Sequence, residues 1–150
     1  MKLQLVADER KSVAELRLAK HRSSLAALKA GEYFRVMACC GRAIEICGSQ
    51  GWTAEAADST FCVSRAFVGL RDFHSAARYL GLTASLRKSA NSLPGEAEIE
   101  IAGQLILDIR SHLGREACEH HFLAGSTLSL ADAASRLLAA SHPGSAASMI

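Results

Sequence analysis

The apolar positions of this 150-residue chain recur on two scales. Locally they fall on helical spacing, as in Val63 and Phe67, or Leu105, Ile106 and Ile109. Period-two alternation appears only at Glu98-Ile99-Glu100-Ile101, which runs straight into that helical spacing. No strand is therefore expected. On the longer scale, Tyr33 and Phe73 lie 40 residues apart, and their surroundings fall into columns. Val36, Ala76 and Cys118 form a column of small residues; Cys40, Leu80 and Phe122 form an apolar one. Ala43, Thr83 and Gly125 are small again, and upstream Leu28, Phe67 and Ile109 match. The steps are 39 to 40 residues and then 42. Self-similarity at such a period predicts an array of stacked helix hairpins, each burying its apolar face on its neighbour.

Turn chemistry divides the chain into seven helices. The first covers about Asp8 to Ala30 and is punctuated by Gly31. The second runs from about Glu32 to Cys47 and stops at Gly48-Ser-Gln-Gly51. Thr53 is placed as the N-cap of a third, ending near Leu70. A tight link at Arg71-Asp72 leads to a fourth, ending near Ser89. Asn91-Ser-Leu-Pro94-Gly95 is a loop, with Pro94 placed to start the fifth helix, which runs to about His112. Gly114 breaks it before a sixth, over roughly Glu116 to Ala124. Ser129-Leu-Ala-Asp132 forms a capping box for the seventh, which His142-Pro143-Gly144 ends. The expectation is an all-α chain of about three hairpins in one domain, residues 1–144, with a flexible tail over 145–150. The seventh helix is expected to cap the array by covering the open apolar face of the third hairpin.

Composition narrows the class. Apolar residues make up 49% and aromatic ones 5%, with two prolines, which suits close-packed helices. The net charge of +2 is too small to argue for nucleic acid or an anionic membrane. No apolar run approaches the length of a membrane span, and the first ten residues lack a secretory signal's apolar stretch. The five cysteines, Cys39, Cys40, Cys47, Cys62 and Cys118, are odd in number and form no Cys-x-x-Cys pair. Reduced core thiols of a cytoplasmic protein are expected rather than a disulfide framework, with Cys39 or Cys47 partly exposed.

The segments Gly31-Glu-Tyr33-Phe-Arg-Val36 through Ile46, and Arg71-Asp-Phe73 through Thr83, resemble the turn and second helix of a tetratricopeptide repeat (TPR). A third copy is carried by Ile109, Cys118, Phe122 and Gly125, so the resemblance covers roughly Leu18 to Gly125. The family's usual period of 34 residues is exceeded, its early tryptophan is missing and its closing proline is absent. Longer periods of this kind resemble the arrays of bacterial regulators and adaptors, and of chaperones that hold translocator subunits for type III secretion. The resemblance implies a right-handed α-α superhelix whose first helices line the concave side. Arg22, Lys29, Arg65 and Arg110 would lie on or near that side, with Asp58 the one acid beside them. Such a groove would hold an acidic peptide segment or a free carboxylate through charge-assisted hydrogen bonds, as an adaptor or chaperone-like module. The same four cations also fit an ordinary solvated surface. The alternative function is a regulatory domain that acts by self-association, as a homodimer, or by sensing a small ligand, linked to transcription or secretion control.

Other constellations add little. His112, Cys118, His120 and His121, with Glu116 and Glu119 nearby, are zinc-binding residue types without a zinc spacing. Adjacent histidines point about 100° apart on a helix, so surface histidines and no metal are expected. The vicinal Cys39-Cys40 pair reads as packing. The segment from Leu128 to Leu137 is similar to the first helix of a bacterial helix-turn-helix, but no basic residue follows Pro143 to contact phosphates. With no glycine-rich phosphate loop, nucleophile elbow or evident carboxylate pair, neither enzyme activity nor a cofactor is expected.

Overall fold

The computed structural model describes residues 22–141, and every regular element among them is an α-helix. They are α1 (residues 22–29), α2 (Tyr33–Gln50), α3 (Thr53–Gly69), α4 (Phe73–Ser89), α5 (Glu96–Leu113), α6 (Arg115–Ser126) and α7 (Leu130–Ala140). The expected helix over residues 8–21, the Pro143 turn and the tail over 145–150 lie outside the described residues.

Four of the turns are built alike. Gly31, Gly51, Arg71 and Asn91 all have positive φ, between 50° and 77°. After each, a backbone N–H reaches five residues back: Glu32 to Ala27, Trp52 to Cys47, Asp72 to Phe67 and Ser92 to Arg87, at 2.8–2.9 Å. This closure satisfies carbonyls that a helix end leaves orphaned. Three predicted starts hold to different degrees. The Ser129 hydroxyl accepts from the Asp132 N–H at 3.1 Å, as the capping box predicts. The N-cap of α3 is Trp52, and Thr53 is its first helical residue, making no capping bond. Gly95, not Pro94, precedes α5 directly.

The repeat columns describe the core. Val36, Ala76, Cys118, Cys40, Leu80, Thr83, Gly125, Phe67, Ile109 and Phe73 are buried, and the remaining members are half-buried. One apolar cluster runs from α1 to α7. Within it, α2 packs on α3 and α3 on α4. The core's hydroxyls are paired: Thr60 bonds Thr83 at 2.7 Å, and Ser64 donates to the Ala76 carbonyl at 3.0 Å.

The closest approach is that of α4 and α6. A Cβ on Gly81 would lie 1.9 Å from the Phe122 carbonyl oxygen, and one on Gly125 would lie 1.7 Å from that of Arg78. Only glycine at both positions permits this crossing.

The seventh helix is placed differently from the expectation. It packs against α2, not over the third hairpin. Its buried stripe is Ala133, Ala134 and Leu137. Leu137 and Leu138 sit against Gly41 of α2, and Leu130 lies near Gly48. Glycines on α2 let α7 come close, and Tyr79 of α4 fixes it by donating to the Ala133 carbonyl at 3.2 Å.

Candidate functional site

Helix α5 is the least enclosed long helix, and concavities lie on both of its sides. Its apolar pattern predicts a buried face, yet only Leu105 and Ile109 are buried, while Ile99 is 57% and Leu107 62% exposed. Polar contacts hold its ends. Near its start, Arg87 of α4 donates to both Glu98 carboxylate oxygens at 2.5 and 3.2 Å. The same guanidinium donates to Asp58 at 2.6 Å and to the Ala54 carbonyl at 3.3 Å, so it joins α3, α4 and α5. Burial opposes its charge, but hydrogen bonds and attraction from Glu98 and Asp58 hold its pKa above the ordinary arginine value. Near the end of α5, the His112 ring stacks on Phe73 with centroids 4.0 Å apart. Arg71 lies 3.0 Å from His112 Nε2. Arginine can only donate, so Nε2 accepts, and Nδ1 carries the proton toward the Asp108 carbonyl at 2.9 Å.

On one side of α5, a groove of about 840 Å³ separates it from α3 and from the turn between α1 and α2. Leu28, Tyr33 and Leu105 supply apolar surface, and Arg65, Glu100 and Asp108 supply charge of both signs. Tyr33 packs on Gly69 of α3, as the repeat pattern predicts, and closes one end. On the other side, a cavity of about 470 Å³ is walled by Phe61, Leu80, Ile99, Ala102, Ile106 and Phe122. Arg87 and Glu98 lie at its rim, and the rest of its wall is nearly all apolar.

The four cations named from the sequence do not all meet there. Arg65 is half-buried and lines the groove. Arg22, Lys29 and Arg110 are exposed and are not among its lining residues. Asp58, expected beside them, is bound to Arg87 instead, and the acids in the groove are Glu100 and Asp108. The Arg87 junction carried no local sequence signal, because its partners lie 29 and 11 residues away. The opposed glycines of α4 and α6 were visible only in part, through the small-residue column ending at Gly125.

The histidine–cysteine group is dispersed. His112 lies on Phe73, Cys118 is buried, His121 meets His74 of α4, and His120 is exposed beside His121. Among the described residues no group of three metal-ligating side chains is placed to hold a metal ion. None of the five cysteines forms a disulfide: Cys39 is half-buried, and Cys40, Cys47, Cys62 and Cys118 are buried. Of Cys39 and Cys47, one of them expected to be partly exposed, Cys39 is that one; Cys47 is 1% exposed because α2 packs on both α3 and α7. Cys40 and Cys62 are hydrogen-bonded across α2 and α3, and that bond together with burial pushes the Cys40 thiol well above its ordinary pKa. None of the described helices is long and apolar enough to cross a membrane.

No protein-family model, curated protein or solved structure matches this chain.

Proposed function

We propose that this chain is a tetratricopeptide-like interaction module, an adaptor or chaperone, that holds a short peptide segment in the groove between α3 and α5. The observation that carries this reading is the groove itself. It is about 840 Å³, open along α5, and combines apolar surface with Arg65 opposite Glu100 and Asp108. A segment with an apolar face, a carboxylate for Arg65 and a basic group for the two acids fits that lining. The repeat columns and the four matching turns support the superhelical reading; α7 lying back on α2 would limit the array's length at that end. Five cysteines without a disulfide suit a reducing, cytoplasmic setting. The exposed cations Arg22, Lys29 and Arg110 would serve as an outer rim that attracts acidic flanks of the segment.

The test is capture from native lysate with the wild-type chain and with Arg65→Glu. A stoichiometric partner that is lost on charge reversal, with helical circular dichroism unchanged, supports the groove. Equal capture by both chains at low salt sinks it.

The apolar cavity on the other side of α5 favours a second reading, the sensing of an uncharged apolar small molecule. Its volume lies within the usual range for ligand pockets. The Arg87 guanidinium already faces two carboxylates, so a fatty-acid headgroup would find no free counter-charge there. Thermal shift with uncharged apolar ligands separates the two readings, because Arg65→Glu should leave that shift intact.

A further inference from the structure

A third concavity lies where α4, α6 and the start of α7 meet, away from both sides of α5. It is about 490 Å³ and mostly polar. Arg78 enters from α4, His120 and His121 from α6, and Asp132 and Arg136 from α7. His74 of α4 adds a third imidazole, its ring centroid 4.6 Å from that of His121. Among the described residues, no carboxylate lies within ion-pair distance of Arg78 or Arg136. Arg87, by contrast, is held by two carboxylates. Two guanidinium groups around one polar pocket whose single lining carboxylate is Asp132 raise the local potential. An anion would offset that potential.

The donors have a defined geometry. Arg78 donates through Nε to His121 Nδ1 at 3.2 Å. That bond leaves the terminal nitrogens of Arg78 free and puts the His121 proton on Nε2. Arg136 makes no hydrogen bond among the described residues. The N-terminus of α7 begins at Leu130, between the lining residues Leu128 and Asp132, and adds partial positive charge to the rim. With the imidazoles neutral, the two lining arginines against Asp132 leave one positive charge in excess among the lining residues. Burial, then Arg78, His74 and His120, hold the His121 pKa below its ordinary value, against a small opposite pull from Asp72. Two guanidinium forks and two imidazoles offer more donors than a carboxylate can accept, and they suit the oxygens of a phosphate dianion.

We propose that the pocket formed by Arg78, His120, His121 and Arg136 binds a phosphate group, either inorganic phosphate or a small phosphate monoester. The probes are inorganic phosphate and O-phosphoserine, titrated against the whole chain while the imidazole resonances of His120 and His121 are followed by NMR. Saturable shifts with either probe, absent with chloride at matched ionic strength, support the site. Tighter binding of O-phosphoserine identifies a monoester as the ligand, and equal binding identifies the free anion. Arg136→Gln, an exposed position, should weaken binding about tenfold or more, the loss of a charge-assisted hydrogen bond. Shifts that follow ionic strength alone, or saturable binding unchanged in both Arg136→Gln and Arg78→Gln, overturn the assignment.

Discussion

Helices α3 and α5 are nearly the same length and read alike as apolar-patterned helices, yet they are attached to the molecule by different physics. Of its 17 residues α3 buries ten, among them Val63, Ala66 and Phe67. Of its 18, α5 buries only Leu105 and Ile109. Burial of apolar surface holds α3, at roughly 25 cal/mol for each Å² removed from water. Two polar junctions hold the ends of α5, through Arg87 near its start and through Arg71 and His112 near its end. A few polar junctions contribute about 1–3 kcal/mol each, less than the summed burial of ten core residues. The difference explains why both the groove and the apolar cavity border α5.

The largest expected effect breaks the rigid half. Gly81→Ala and Gly125→Ala each drive a methyl group into a carbonyl of the facing helix. Helix propensity favours alanine over glycine by about 1 kcal/mol, but a backbone clash outweighs it. We expect a net loss of about 3 kcal/mol or more for each, since α4 and α6 must separate. Urea unfolding measures it. A stabilising result at either position would mean that the two helices are not in that contact.

This crossing also shows how much of the fold the sequence carried. The columns of Val36, Cys40, Phe67 and Phe73 placed the core of α2 to α4, because apolar residues recurring at fixed steps bury their faces on neighbouring helices. The turn residues Gly31, Gly51, Arg71 and Asn91 stand 20 residues apart, a sharper period than the columns themselves. It is hidden because only two of the four are glycine; arginine gives no hint of a left-handed backbone. The placement of α7 was not legible, since its Ala133, Ala134 and Leu137 stripe fits any apolar face of suitable width. The room beside Gly41, where a Cβ would lie 3.1 Å from Leu138, favours α2 and shows only in the assembled fold. The site was less legible still. Arg65 reached a groove, but Arg78 and Arg136 come together only through tertiary packing across 58 residues.

A smaller effect should detach α5 without melting α3 and α4. Arg87→Met removes the guanidinium and leaves Asp58 and Glu98 without their shared cation. Breaking a fully buried pair costs about 3–5 kcal/mol. Here Asp58 is half solvated, so about 2 kcal/mol is a better expectation. Hydrogen exchange should speed up over residues 96–113 while the amides of α3 and α4 keep their protection. Uniform loss of protection across the chain would show that α5 is as integral as the core hairpin.

The smallest effect on stability tests the outward face of α5. Leu107 is 62% exposed and borders the groove, whereas Phe67 is 8% exposed in the core. Both are apolar positions of the repeat region, so the hydrophobic pattern does not distinguish them. Leu107→Ser should change stability by no more than about 0.5 kcal/mol, because almost no apolar contact is lost. If the groove holds an amphipathic segment, the same change should reduce partner capture, since a leucine at the rim covers part of that segment's apolar face. A large loss of stability would mean that α5 packs more deeply than its exposure indicates. Unchanged capture, with Arg65→Glu still disruptive, would confine recognition to the charged side of the groove and leave the apolar rim without a role in it.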